Sequence, residues 1–235
     1  QDFHYTCTGT YTNGDYAVNC HDGVAHGELD IYGILGMSCN GAFDTIAQTL
    51  NSTKWQKLAE DFGYNQSDRS QVDFPYKKSH FDIASDDSVW SRMQLAIGQG
   101  TTTVTPLLNL MMYAAIANDG VMMTPYLVDH YLDADGNVVE QTKPKALRSV
   151  CTKAEAELMD EFLTYVITNG TAAAGGSQYA RVSGKTGSAQ YDSTKNYHAW
   201  FCGYGTNDVS EIAVCVMIEK GGAGGIVAAP VAGQI

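Results

Sequence analysis

The stretch "RVSGKTGSAQ" (Arg181–Gln190) places one lysine and one threonine between glycines at the start of a strand-rich region. Three strands are predicted here, at Ser183–Tyr191, Tyr197–Gly205 and Ser210–Lys220. The last two alternate in polarity and are rich in β-branched and aromatic residues, which is typical of strands. We therefore expect an antiparallel sheet that carries Lys185 and Thr186 on an edge strand.

Helices are predicted before this sheet, and two of them have recognisable ends. Thr105 is an expected N-cap with Pro106 at the first helical position, and Thr152 forms a capping box with Glu155. Within Gly27–Leu50, helices are predicted on both sides of a bend at Met37–Gly41, and a further helix is predicted at Trp55–Gly63. Hairpins are predicted at the turns Asn13–Asp15 and Asp135–Gly136. Helices followed by antiparallel strands indicate an α+β fold.

The composition excludes two classes of function. The 235 residues carry a formal net charge of -12, with a pI near 4.7, which gives no electrostatic basis for nucleic-acid binding. The longest apolar stretch, Leu107–Asn118, is shorter than the roughly 20 residues that cross a membrane. It is interpreted as a core helix.

The six cysteines contain no C-x-x-C pair, so a zinc ribbon is not supported. Cys7 and Cys20 flank a predicted hairpin and could lie close enough to bridge, while small buried thiols remain the alternative. His21 and His26 have no third ligand near them in the sequence. Hairpin and loop roles are therefore expected for both histidines, and neither a metal nor another cofactor is expected.

Three interpretations of the lysine segment differ in their other requirements. A phosphate-binding P-loop needs a glycine where Tyr179 stands, and it leads into a helix rather than strands. A nucleophile elbow is approached by "GMSCN" (Gly36–Asn40), which ends in asparagine where glycine is needed. The pair Lys-Thr-Gly and Ser-x-Asn instead matches two of the three motifs of penicillin-recognising active-site serine enzymes.

Much of the chain then resembles the transpeptidase domain of class B penicillin-binding proteins. The stretches that carry the resemblance, in order, are "FHYTCTGTYTNGDYAVNCHDGVAHGELDIYGILGMSCN" (3–40), "IGQGTTTVTPLLNLMMYAAIANDGVMMTPYLV" (97–128), "NGTAAAG" (169–175), "SGKTGSAQ" (183–190), "HAWFCGY" (198–204) and "AAPVA" (228–232). The resemblance implies a β-lactamase/transpeptidase-like α+β fold, with an antiparallel sheet packed against helices and an all-α subdomain, incomplete at its N-terminal end.

The resemblance also implies a D,D-transpeptidase that crosslinks peptidoglycan stem peptides ending in D-Ala-D-Ala and is acylated by β-lactam antibiotics. The implied catalytic residues are Ser38, Asn40 and Lys185, with the backbone N–H of Ser188 as oxyanion donor. Thr186 and Gly187 would bind substrate, Thr186 through its hydroxyl and Gly187 by leaving room for an added strand. The loop residue Lys195 is expected beside the cleft.

One motif is absent, because no lysine of the chain has a serine three residues before it. We therefore expect residues 1–235 to be a single, partial transpeptidase domain that is inactive alone. The resemblance implies a location outside the cytoplasmic membrane, an anchor elsewhere in the protein and a membrane glycosyltransferase as a possible partner. The alternative is a penicillin-recognising sensor or scaffold module without turnover.

Overall fold

The structure, a computed structural model, describes residues 2–66, 72, 74–194 and 196–235. Lys195, which the sequence analysis places beside the cleft, lies outside the described residues. Within the described residues, no helix combines the length and the apolar character needed to cross a bilayer.

The fold alternates short strands and helices before it reaches three long strands. The helices are α1 Ile31–Gly36, α2 Asn40–Thr49, α3 Ser52–Asp61, α4 Val89–Ala96, α5 Pro106–Ala117, α6 Lys153–Asn169 and α7 Gly224–Ala232. The strands are β1 Tyr5–Cys7, β2 Thr10–Asn13, β3 Tyr16–Asn19, β4 Gly27–Leu29, β5 Val121–Met123, β6 His130–Leu132, β7 Val138–Gln141, β8 Ala146–Ser149, β9 Arg181–Gln190, β10 Tyr197–Thr206 and β11 Glu211–Ile218. This mixture confirms the predicted α+β class.

The lysine strand lies at an edge of the main sheet. The three predicted strands are present as β9, β10 and β11, all antiparallel, in the order β11-β10-β9. Lys185 pairs with Cys202 and Gly187 with Trp200 on the central strand. The other side of β9 has no strand partner among the described residues, so alternate backbone groups there are free to pair with a ligand.

The core of the sheet is built around Phe201, which is 1% exposed. It packs with side chains of α6 and α7, including Val166 and Ala228. A Cβ at Gly184 would lie 2.7 Å from the Phe201 ring, and one at Gly175 would lie 2.4 Å from it. Both glycines are therefore needed for the ring to fit, and Gly184 fixes the strand immediately before the lysine.

The predicted ends of α5 and α6 agree with the structure, whereas three other helices differ from the prediction. The helix predicted before the bend reached back to Gly27, but Gly27–Leu29 is strand β4 and α1 begins at Ile31. Thr105 caps α5 by accepting a hydrogen bond from the Leu108 N–H, and the capping box of α6 is present. Helix α3 begins three residues before the predicted Trp55, because Asn51 caps it. Asn40 was predicted in the bend but is the first residue of α2, so the bend is shorter than expected.

In the described part of the chain, the remaining strands form four two-stranded sheets. The pairs β2–β3 and β6–β7 are the two predicted hairpins. The pairs β1–β4 and β5–β8 join strands that are distant in sequence, so local patterns did not indicate them. The sheet β1–β4 brings Cys7 opposite Gly27, next to His26.

A hydrogen-bonded carboxylate ties α6 to the main sheet. Asp160 accepts hydrogen bonds from Tyr204 Oη, Ser183 Oγ and Arg181 Nη1, each at 2.7 Å. Burial opposes ionisation of this carboxyl group, but the three hydrogen bonds outweigh it and hold the pKa of Asp160 below its usual range. Ser183 lies two residues before Lys185, so this network also fixes the start of the edge strand.

We predict that Asp160→Ala lowers the free energy of unfolding at pH 7 by about 2–3 kcal/mol, because it leaves buried hydroxyl groups without an acceptor. Since the folded-state pKa is lowered, the stabilisation is present above about pH 4 and is lost as the pH falls further. Denaturant unfolding at pH 7 and pH 3 measures both effects. Asp61→Ala, which removes an exposed ion pair with Lys57, is the control and should cost less than about 1 kcal/mol. Equal losses in the two variants would contradict the prediction.

Candidate active site

The side chains of Lys185 and Ser38 meet although 147 residues separate them in sequence. Lys185 Nζ donates a hydrogen bond to Ser38 Oγ over 3.0 Å and another to the carbonyl oxygen of Thr186, also over 3.0 Å. The ammonium therefore lies at the edge strand and at the bend before α2 at the same time. The two motifs form one site.

Ser38 occupies a strained bend between α1 and α2. Its φ of +53° is in the left-handed region, which costs a residue other than glycine about 1–2 kcal/mol. The bend is held by hydrogen bonds from the Ser38 N–H to Leu35 O and from the Cys39 N–H to Ile34 O. Strain of this kind persists only where the surroundings impose it, and here it aims the hydroxyl at Lys185.

The side chain of Lys185 is partly buried, with its ammonium between the edge strand and the bend. Desolvation by burial lowers the pKa of Lys185 to about 8. The residue is therefore mostly cationic at neutral pH, but it loses its proton far more easily than an exposed lysine does. Such a group can bind an anion and can also take part in proton transfer.

Thr186 is linked to the bend through Thr171, which lies in the stretch 169–175 but was given no role from the sequence. The two hydroxyl oxygens lie 3.1 Å apart, and the Thr171 N–H donates to Gly36 O over 3.0 Å. A Cβ at Gly170 would lie 2.4 Å from the same carbonyl oxygen, so glycine is required for this contact. The segment after α6 thus connects the edge strand to the end of α1.

Gly187 and Ser188 continue the edge strand past the cation. A Cβ at Gly187 would meet only Trp200, at 3.4 Å, which is ordinary van der Waals contact. Packing inside the protein therefore does not require a glycine at position 187. A glycine would instead allow the backbone of a ligand to approach the strand closely. Ser188 Oγ accepts a hydrogen bond from the Gly224 N–H over 3.1 Å. Its side chain is thereby engaged with α7, and its backbone remains the candidate donor to a ligand.

Asn40 contacts the hairpin that precedes it in the chain. Its Nδ2 donates to the carbonyl oxygen of Asn19, at the end of β3, over 2.8 Å. One amide donor is therefore used to anchor α2 to the β2–β3 hairpin. The structure gives no hydrogen bond between Asn40 and Lys185 among the described residues.

The cysteines next to the bend also lie closer together than the sequence indicated. Cys7, Cys20, Cys39 and His26 place one ligand-type atom each within 4.8 Å of the others. Spacing in the sequence did not indicate that three thiols lie beside His26. Cys7 and Cys20 are free thiols with their sulfurs 3.5 Å apart.

Comparison with known proteins identifies the family. The profile of the penicillin binding protein transpeptidase domain matches residues 1–235. The peptidoglycan D,D-transpeptidase PbpA of Mycolicibacterium smegmatis is 29% identical over 203 residues, which cover 83% of this chain and 40% of the relative. The stage V sporulation protein D of Bacillus subtilis is 27% identical over 228 residues, or 93% of this chain and 35% of the relative. The chain thus spans about two fifths or less of these relatives' lengths.

Solved structures agree with this assignment. The D,D-transpeptidase domain of a peptidoglycan glycosyltransferase from Eggerthella lenta superposes with a TM-score of 0.88 at 27% identity, covering 99% of this chain and 58% of that one. Penicillin-binding protein A of M. tuberculosis, solved as a ceftriaxone acyl-enzyme complex, superposes with a TM-score of 0.87 at 22% identity, covering 97% of this chain and 54% of that one, and supports the fold. The resemblance inferred from the motifs is confirmed, and the chain belongs to the penicillin-binding protein transpeptidase domain family.

Proposed function

We propose that this chain forms part of a D,D-transpeptidase that joins peptidoglycan stem peptides through an acyl-serine intermediate. The main support is the 3.0 Å contact between Lys185 and Ser38, which unites two motifs of the family in one site. The nucleophilic serine and its lysine would come from chain outside residues 1–235, since these residues contain no S-x-x-K motif.

The edge strand would bind the substrate. A stem peptide ending in D-Ala-D-Ala would lie beside β9 as an added strand, with its terminal carboxylate near the Lys185 ammonium and the Thr186 hydroxyl. The backbone N–H of Ser188 would donate to the oxyanion that forms when the serine attacks. A β-lactam, whose carboxylate and strained amide resemble the same terminus, would be attacked in the same position.

The Ser38 hydroxyl in the bend would transfer a proton during the reaction. The Ser38 hydroxyl accepts from Lys185 and has its own proton to donate, so it can pass a proton towards the leaving amine. Asn40, anchored to Asn19, would hold the start of α2 and offer its amide oxygen to the site. This division assigns anion binding to the strand and proton transfer to the bend.

The substrate implies the wider setting of the protein. Peptidoglycan crosslinking takes place outside the cytoplasmic membrane, and we propose that location, with an anchor in another part of the protein. A membrane glycosyltransferase that makes the glycan strands is the proposed partner. The alternative is a sensor or scaffold that binds β-lactams without crosslinking.

We expect Lys185→Ala in the full-length protein to lower the rate constant for acylation by an anionic β-lactam at least about 100-fold, because anion binding and proton transfer are both impaired. Labelling with fluorescent penicillin over time measures this rate. Lys57→Ala is the matched control, since Lys57 is an exposed lysine paired with Asp61, and it should label like the wild type.

Peptide mapping of the labelled protein locates the acylated serine, which we expect outside residues 1–235. Label on any residue of this chain would contradict the proposed nucleophile. Labelling without release of D-alanine from a stem peptide would favour the sensor over the transpeptidase.

Two variants of Ser38 separate its hydroxyl from its backbone. Ser38→Gly removes the hydroxyl and relieves the left-handed strain, whereas Ser38→Ala removes the hydroxyl and keeps the strain. We expect both to lower the acylation rate constant by about 100-fold or more, while the glycine variant unfolds at the same or a higher temperature than the wild type. An acylation rate near wild type in Ser38→Gly would exclude the proton-relay role.

The pH dependence of acylation should follow Lys185. With a pKa of about 8, its ammonium is present below pH 8 and lost above it. We therefore expect the apparent affinity for an anionic β-lactam to fall as the pH rises from 8 to 10, measured by stopped-flow acylation at several ligand concentrations. Lys185→Arg keeps its charge over this range and should show weaker but nearly pH-independent binding. The same decline in both variants would assign it to another group.

A further inference from the structure

Two cysteines face each other across two strands of the main sheet. Cys202 on β10 is paired directly with Cys215 on β11, and their sulfur atoms lie 3.2 Å apart. Both are free thiols, and neither takes part in the reaction proposed above. Two thiols in this arrangement can be joined covalently if the backbone brings their α-carbons close enough.

The hydrogen bonds between the two strands place this pair at a position that suits a disulfide. At the turn that joins the strands, the Asn207 N–H donates to Ser210 O over 3.0 Å, so Asn207 and Ser210 are a hydrogen-bonded pair. Hydrogen-bonded and non-hydrogen-bonded pairs alternate along an antiparallel ladder, and the register of these strands has no interruption. Cys202 and Cys215 are therefore a non-hydrogen-bonded pair. The α-carbons of such pairs lie about 4.5 Å apart, within the range of about 4.4–6.8 Å that disulfides span.

The two thiols differ in reactivity. The Cys202 S–H donates to the Cys215 sulfur, and this hydrogen bond lowers the pKa of Cys215 although burial opposes it. The same hydrogen bond and burial raise the pKa of Cys202. Cys202 is only 4% exposed, whereas Cys215 is partly exposed. Since the thiolate is the form that attacks a disulfide, Cys215 is suited to react first and Cys202 to complete the bond.

The pair also adjoins the lysine of the active site. Cys202 is paired with Lys185 on the opposite side from Cys215, so the three side chains lie in a row on one face of the sheet. The Tyr191 N–H donates to Asn196 O over 3.2 Å where β9 meets β10, and alternation from there makes Lys185 and Cys202 a hydrogen-bonded pair. A covalent link at Cys202 would therefore restrain the strand to which the backbone of Lys185 is bonded.

We propose that Cys202 and Cys215 are a site of oxidation, at which an organic disulfide converts them to a cross-strand disulfide that fixes β11 to β10. The Cys215 thiolate attacks one sulfur of the oxidant, forms a mixed disulfide and releases one thiolate. Cys202 then loses its proton, attacks the Cys215 sulfur and displaces the second thiolate. The protein loses two electrons and two protons, and the oxidant gains both as two free thiols. The proposal does not depend on the transpeptidase reaction.

Mass spectrometry of the full-length protein tests this proposal. The reduced protein is treated with oxidised glutathione, alkylated in denaturant and digested with trypsin, which cuts after Lys195 and Lys220 and leaves both cysteines in one peptide. We expect this peptide to lack two hydrogen atoms and to stay unalkylated until it is reduced. Further cleavage by chymotrypsin after Tyr204 should leave two fragments joined. A wild-type peptide alkylated at both cysteines, or one that retains glutathione on Cys215, would overturn the proposal.

Single variants test the order of the two steps. We expect Cys202→Ala to accumulate a glutathione adduct on Cys215, because the second thiol is missing. Cys215→Ala should form an adduct on Cys202 at least about tenfold more slowly, since that thiol is buried and protonated. Cys151→Ala removes a cysteine outside the pair and should form the disulfide as the wild type does. Equal adduct rates in the two variants of the pair would contradict the proposed order.

Thermal unfolding of the oxidised and reduced wild type tests the role of the bond, and it needs no single variant to fold. We expect the oxidised protein to unfold at a temperature about 5–10 °C higher, because the bond closes a ring of residues 202–215 and restricts the unfolded chain. Reduction with dithiothreitol should reverse the rise. The double variant Cys202→Ala/Cys215→Ala, given the same oxidant, should show no rise of this size. A wild type whose unfolding temperature does not change on oxidation would contradict the proposed role in fixing β11.

Discussion

The hydrogen bond between Lys185 and Ser38 imposes the main demand on this fold. A partly buried cation needs close acceptors, and it finds them in the Ser38 hydroxyl and the Thr186 carbonyl oxygen. Since the hydroxyl and the lysine belong to segments 147 residues apart, a small shift of either one would leave the ammonium poorly solvated. The surrounding structure acts to prevent that shift.

Contacts with neighbouring elements fix the positions of both Lys185 and Ser38. The Asp160 network and the Phe201 ring fix the strand before Lys185, while Thr171 joins Thr186 to the end of α1. On the other side, Asn40 ties the start of α2 to the hairpin through Asn19. The left-handed conformation of Ser38 is therefore maintained by contacts on both its flanks, which is how strained residues persist at functional sites.

The sequence allowed the local features to be predicted but not the tertiary pairings. The caps at Thr105 and Thr152 depend on neighbouring residues only, and the three long strands have strong patterns of their own. The strand pairs β1–β4 and β5–β8 depend on contacts between distant residues, which no local pattern encodes. The contact between Lys185 and Ser38 could be expected because both residues belong to motifs of one enzyme family. Thr171 and Asn19 lie within stretches that carry the resemblance, but the resemblance gave neither residue a contact, and spacing alone did not bring Cys7, Cys20, His26 and Cys39 together.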